Sequence, residues 1–371
     1  NGTINVPVTV RTSNPDIGIG EILAGNPYPS TLDADAFIDA NLVGTGTINQ
    51  TISGTLYFWT HNHSITGYDY DGNDYATYTK LGGAAAGPGP SGSGNTNPPT
   101  RYIASGQGFF VDYETDGNIT FNNAMRLGTD NTNFYKTSNS KTAKTSAVES
   151  HRIWLNLTNS TANFSQALVG YVTDATNDYD PGFDGRSYGG AHDIYSVLDA
   201  ETLTIQSRAL PFVNTDFIII GYNVTVAGTT TIKIDHVDGI FLESQGIYLE
   251  DKVLNTTHDL KAGAYSFYSD AGSFEERFIL KFTNGALGNE DFTIKENKVL
   301  VSVKNKQIKI NSNSDAIDKI MVFDISGKQI YKKDNVSSQE VIISNLTAKN
   351  QLLIVKTTLE NGKTVSEKIV F

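Results

Sequence analysis

Asp69-Tyr70-Asp71-Gly72-Asn73-Asp74 places oxygen-bearing side chains at alternate positions around a glycine, as calcium loops do. It lacks the bidentate glutamate that completes an EF-hand loop, so a solvated acidic turn accounts for the same residues. A second run, DATNDYDPGFDG, carries Asp174, Asn177, Asp178, Asp180 and Asp184. The calcium candidates are therefore Asp69, Asp71, Asn73 and Asp74, then Asp174, Asp178, Asp180 and Asp184. Calcium is the one cofactor the sequence suggests. His61-Asn62-His63 has the spacing at which two strand residues share a face and could ligate zinc. No further ligand set accompanies the pair, and His151, His192, His236 and His258 are scattered, so surface or capping roles fit better. Trp59 and Trp154 stand inside apolar runs, which favours core packing over sugar stacking.

Glycoside hydrolysis needs two carboxyl groups about 5–9.5 Å apart, and among 40 acidic residues no pair stands out. The chain has no Gly-x-Ser-x-Gly elbow, phosphate loop or dinucleotide fingerprint; Gly106-Gln107-Gly108 is a fragment in a strand context. It also has no cysteine, which removes disulfides, thiolate metal sites and a cysteine nucleophile. These residues point to a protein that is not an enzyme, with catalysis left only to a domain upstream of residue 1.

The elements that must carry these residues are strands. Apolar residues alternate or form short runs, broken every 8–12 residues by Gly, Asn or Asp, as in sandwiches. Thr55–Trp59, Gly108–Tyr113, Arg152–Leu157 and Thr231–Ile234 are examples. The expected class is all-β, tandem antiparallel sandwiches ending in a small seven-stranded Ig-like sandwich. One short helix is expected near residues 31–40, where Ser30-Thr31-Leu32-Asp33 fits a capping box and Leu32, Ala36, Phe37 and Ala40 share a face. Lys136 to Ser150 reads as a solvated linker, and the charge changes sign near Thr283–Asn289. The expected modules are residues 1–136, a linker 137–150, residues 151–284 and residues 290–371. Gly82 to Pro99 holds six Gly and four Pro and predicts a mobile loop at a sandwich edge.

Charge narrows the partners. With 28 basic and 40 acidic residues the formal charge is −12, which repels nucleic acid and anionic membranes. From Asp291 onward there are 13 Lys, no Arg and 9 acids, whereas the first 290 residues hold 15 basic and 31 acidic groups. A switch in sign and in basic-residue type marks a separate C-terminal module. No run approaches the ~20 apolar residues of a membrane helix. Asn5-Val6-Pro7-Val8 reads as a strand entered in mid-domain, so the sequence is expected to be the C-terminal part of something longer.

Within the last module, Asn361-Gly362 sits where a two-residue type I′ turn needs φ > 0 at both positions. That turn would set Leu352 opposite Phe371, Ile354 opposite Ile369 and Lys356 opposite Glu367. Apolar pairs then align on one face, with an ion pair near the turn.

Val301–Ile310, Val322–Lys328, Val355–Val365 and the closing Lys368-Ile369-Val370-Phe371 resemble the C-terminal sorting domain of the type 9 secretion system of Bacteroidetes. The match is closest to the divergent type C subgroup found on flavobacterial secreted chitinases. It covers about 80 residues. Type A domains usually have Gly-x-Tyr where this chain reads Asn350-Gln351-Leu352-Leu353. The resemblance implies a folded address recognised by the outer-membrane translocon and a shuttle β-barrel, with a secreted or cell-surface destination. Leu352, Ile354, Lys356, Asn361, Gly362, Lys368, Ile369, Val370 and Phe371 are its expected contacts. An exposed end strand could be read there by strand addition. Upstream, Gly25–Ser30, Leu56–Thr60, Tyr102–Val111, His151–Leu157 and Gln245–Leu249 resemble segments of large flavobacterial surface proteins, adhesin-like and linked to gliding. The expected function is thus a type 9 cargo whose upstream domains serve adhesion, gliding or spacing. The alternative is a set of carbohydrate-binding modules, contacting surface glycans, from an enzyme whose catalytic domain precedes residue 1.

Overall fold

The computed structural model describes residues 2–10, 20–42, 51–65, 71–89, 94–128, 134–135, 149–159, 164–284, 299–304, 307–312, 315–324, 328–344, 346, 352–361 and 364–370. For residues 299–300, 302–304, 352 and 366–370 only the backbone is described. The chain is all-β and divides into two compact units, residues 1–287 and 288–371.

The first part of the larger unit is built on a five-stranded antiparallel sheet. Its order is Gly20–Gly25, Gly108–Tyr113, Ile52–Trp59, Tyr75–Thr79 and Gly82–Ala84. Period-two alternation sends Ile22, Ala24, Phe109, Val111, Leu56, Phe58, Ala76 and Tyr78 to one core. Glu21, Leu23, Phe110, Asp112, Tyr57, Trp59, Tyr75 and Thr77 consequently stand on the other face. The helix spans Ala34–Asn41, so Thr31–Asp33, expected inside it, is a short strand instead. Its cap is Asp33, which accepts from the Asp35 amide at 3.1 Å and also holds Arg101, not Ser30. A strand that pairs with Tyr102–Ile103 and Arg126–Leu127 delays the helix start by about a turn. The buried stripe is accordingly Ala34, Phe37, Ile38 and Asn41. Phe37 meets Phe109 and Phe121 at ring distances of 5.3 and 5.0 Å, a burial worth roughly 1.5–3 kcal/mol.

The second part is a single sheet that folds over on itself. It runs from Thr256–Asp259 through Phe217–Val224, Phe164–Val172 and Ser150–Asn159 to Tyr265–Ser269. Phe267 on the last of these meets Tyr222 and Phe278 at 5.3 and 4.7 Å, which closes the sandwich. One pairing, Phe164–Val172 with Glu201–Ala209, is parallel, against the all-antiparallel expectation.

The two parts are not separate beads. A third cluster joins Leu81 and Ala84 of the first to Trp154, Leu168, Val172 and Ile205 of the second. The Trp154 indole donates to the Gly83 carbonyl at 2.8 Å, Arg152 to that of Leu81 at 2.8 Å, and the Ala85 amide to Gln166 at 3.0 Å. The Gly/Pro run expected to be a mobile loop therefore begins as an edge strand and packs. Glycine permits it: a Cβ on Gly83 would lie 2.1 Å from the Pro99 carbonyl oxygen. Within that run, residues 90–93 lie outside the described residues, as does the expected linker up to residue 148.

In the C-terminal unit seven strands among the described residues form two sheets. Val299–Lys304, Gln307–Ser312 and Glu340–Ile343 make one; Gln329–Lys333, Ile317–Asp324, Leu352–Leu359 and Thr364–Val370 make the other. Ile308, Ile310, Ile320, Val322, Val341, Leu353 and Val355 are among its core residues. The terminal hairpin corrects the expected register by one residue. Leu352 pairs with Val370, Ile354 with Lys368 and Lys356 with Ser366. This pairing centres the connection on Asn361, one residue from the centre the expected turn requires; Gly362 and Lys363 lie outside the described residues. Glu367 faces Val355, and the anticipated Lys356–Glu367 pair falls on opposite faces.

Candidate functional site

The expected export contacts gather on one hairpin. Leu353, Val355, Thr357 and Leu359 are buried, which turns Ile354 and exposed Lys356 to the outer face. Asn361 donates to Asp315 at 2.6 Å across to the start of a neighbouring strand. Leu352, Lys368, Ile369 and Val370 are placed by backbone register alone, and Gly362 and Phe371 lie outside the described residues. Thr364–Val370 ends the four-stranded sheet, pairing among the described residues only with Leu352–Leu359.

The two acidic runs use their oxygens on their own backbone. Asp71 accepts from the Asn73 amide at 3.0 Å. Buried Asp74 accepts from the Asn62 and His63 amides and from His63 Nδ1 at 2.7 Å. Asn73 reaches across to the His192 backbone. Asp69 lies outside the described residues. In the second run Asp180 accepts from Thr176, and Asp184, fully buried, accepts from the amides of Asp180 and Ser207. Burial raises Asp184 to about 6 despite those donors. Asp174 takes a positive φ of 73° and Asp178 is exposed at the loop surface. Among the described residues no group of three or more His, Asp or Glu is arranged to hold a metal. His61 and His63 do not act as a pair: His61 stacks on Trp59 at 4.9 Å while His63 turns to Asp74.

A richer constellation lies where the second acidic run crosses the outer face of the five-stranded sheet. Thr55, Thr79 and Tyr57 donate to the carbonyls of Asp184, Phe183 and Arg186, pinning residues 183–186 over the strands. Tyr188 then stacks on Tyr57 at 3.9 Å, meets Tyr75 edge-on at 4.8 Å and donates to Glu21. Arg186 binds Glu201 and Glu114 at 2.8 and 3.1 Å and covers the Tyr179 ring. Glu21 and Asp112 are direct cross-strand partners. Burial, and then repulsion by Glu21, raises Asp112 to about 7. The Tyr57 hydroxyl lies 3.1 Å from the Arg186 carbonyl and 3.4 Å from Asp112. One phenolic proton cannot serve both acceptors, so a neutral Asp112 donating back to Tyr57 satisfies the trio. Sequence reading missed this group. Its members are as far apart as Glu21 and Arg186, and only alternation of polar and aromatic residues along Ile52–Trp59 and Gly108–Tyr113 hinted at a decorated outer face.

Beside it, a polar cleft of about 20 Å³, room for about one water, is lined by Asn73, Gln166, Ser165, Ser187 and Asp193. Asp193 is buried and raised by that burial, though the hydroxyls of Ser187 and Ser165 donate to it at 2.6 and 2.8 Å.

Among known families, the one described as "Domain of unknown function (DUF8693)" matches residues 1–282, and "Domain of unknown function (DUF8694)" matches residues 287–371. No curated protein matches. A solved structure, Tp47, the 47-kilodalton lipoprotein of Treponema pallidum, aligns at 9% identity and a TM-score of 0.18 over 95% of this chain and 91% of that one. No described helix is long and apolar enough to cross a membrane.

Proposed function

We propose that this chain, which belongs to the family described as Domain of unknown function (DUF8693) and ends in the one described as DUF8694, is an exported surface protein whose terminal module is its export signal. The upstream unit serves adhesion, gliding or spacing at the cell surface, with no catalytic role. The exporter is a type 9 outer-membrane translocon with its shuttle β-barrel, in keeping with the sequence resemblance.

One observation carries this reading: residues 288–371 form a compact unit with a core of their own. An address read after folding must be a domain that persists whatever cargo precedes it, and a self-contained sandwich meets that condition. Its terminal strand lies at a sheet edge among the described residues, a place where strand addition can occur. The absence of cysteine suits passage through an oxidising periplasm.

In the native bacterium, deleting residues 288–371 is expected to strand the protein in the periplasm. Fusing that segment to a folded reporter is expected to send the reporter to the surface or medium. Normal export of the deletion variant would overturn the proposal.

A further inference from the structure

We infer that the uncovered end of the five-stranded sheet's outer face binds a neutral polysaccharide, in a shallow trough floored by Gly25 and Gly108 and walled by Trp59, Leu23 and Phe110. The register builds the trough. Gly25 pairs with Gly108 and Leu23 with Phe110. Phe110 in turn pairs with Tyr57, so Trp59 lies level with Gly108, and its other neighbour is Tyr75. Two adjacent positions on neighbouring strands thus carry no side chain between an indole and a pair of apolar residues.

Neither glycine is demanded by the backbone. A Cβ on Gly108 would come no closer than 3.4 Å to Leu23, and one on Gly25 no closer than 3.7 Å to the Gln107 carbonyl. Neither has the positive φ that disfavours a side chain. The contrast is Gly72, whose Cβ would fall 1.4 Å from the Gly189 carbonyl oxygen. What glycine supplies at 25 and 108 is open space.

The walls suit a sugar. Leu23 is 62% and Tyr188 37% exposed, and Trp59, Phe110 and Tyr75 are half-buried. Rings and aliphatic groups of this kind cover the C–H faces of a pyranose, while the neighbouring exposed Glu21 carboxylate accepts from its hydroxyls. The charge selects a neutral chain. The exposed Glu21 carboxylate stands farther along the same edge strand, and the guanidinium of Arg186 is already committed to Glu114 and Glu201. An anionic polymer would be repelled by Glu21, with Arg186 engaged elsewhere. Gly20–Gly25 is the edge strand, so the trough runs off the sheet, as a polymer requires.

This inference goes beyond the export reading, and the two fail separately: binding is measured on the purified full chain, secretion in cells. The probes are hydroxyethylcellulose, laminarin and neutral arabinoxylan, each set in native affinity gels. Retardation by at least one is expected. Trp59→Ala should weaken it at least tenfold. Gly108→Val places a β-branched residue in a strand with room for it, so its melting temperature should match the parent while retardation is lost. No retardation of the parent by any of the three, retardation by anionic alginate alone, or unchanged retardation of a folded Gly108→Val variant would overturn the proposal.

Discussion

Asp112 holds its proton because the fold withdraws water from it and sets Glu21 directly across the strand pair. The unfolded chain releases that proton near pH 4 and the folded one near pH 7, so in between the native state binds the extra proton. Stability contributed by this group therefore falls as pH rises through that window, and above about pH 7 the full cost is present. The rise from 3.8 to about 7 corresponds to at most roughly 4 kcal/mol. Asp112→Asn keeps the shape and the donor to Tyr57 but cannot ionise. Denaturant titrations should show the variant more stable than the parent by about 1–3 kcal/mol at pH 8, with the gap shrinking toward pH 5. Buried His192, lowered to about 4, acts in the opposite direction as pH falls below its usual 6.5. The informative quantity is thus the parent–variant difference at each pH. A difference that does not change between pH 5 and 8 would show that Asp112 is ionised throughout.

At the scale of elements, the terminal hairpin makes a test of register possible. Thr358 and Thr364 are direct partners, with hydroxyls 3.0 Å apart. Because the chain has no cysteine, a Thr358→Cys/Thr364→Cys double variant carries the only two thiols. It should oxidise to an intramolecular disulfide, read as loss of alkylation by mass spectrometry, whereas Thr358→Cys/Val365→Cys should not. Ready cross-linking of the second pair alone would restore the two-residue turn read from Asn361-Gly362. The strands themselves were legible, since alternation marks them wherever one face is buried, as at Gly108–Tyr113 and Gln307–Ser312. The register was not: both pairings align apolar residues along Leu352–Leu359, and a preference for Asn-Gly cannot weigh the sheet beneath. The helix start slipped for a related reason, because Thr31–Asp33 gains partners in Arg126–Leu127 and Tyr102–Ile103 that no local signal reveals. The terminal hairpin is legible as a pair of strands, but the Glu21–Asp112–Tyr57–Tyr188 cluster is not. It exists only because residues 183–188, remote in sequence, lie across the sheet.

For the whole molecule the question is which boundaries separate folding units. Composition draws two seams, and the compact units divide between residues 287 and 288. Trp154, Leu168 and Ile205 bury themselves against Leu81 and Ala84, and Lys80, Thr55, Thr79 and Asn73 of the first part bond to residues 182–192 of the second. Cutting near residue 140 would strip these contacts from both sides and expose a tryptophan that is 5% accessible. At the second seam, among the described residues, the clusters of the larger unit end at Phe282 and that of the C-terminal unit begins at Val301. Residues 1–287 and 288–371 expressed separately should therefore each give cooperative denaturant unfolding and a dispersed NMR spectrum, while residues 1–140 and 149–287 should aggregate or bind hydrophobic dye. The smaller fragment is the sterner case. It has 84 residues and no disulfide, and at about 0.05–0.15 kcal/mol per residue its stability should be only ~4–12 kcal/mol. Ten of its described residues, all 7% exposed or less, pack into one core, so the fragment is expected to fold alone. A fragment 288–371 without a cooperative transition would mean that its fold depends on the rest of the chain, and the self-contained address on which export is argued would be lost with it.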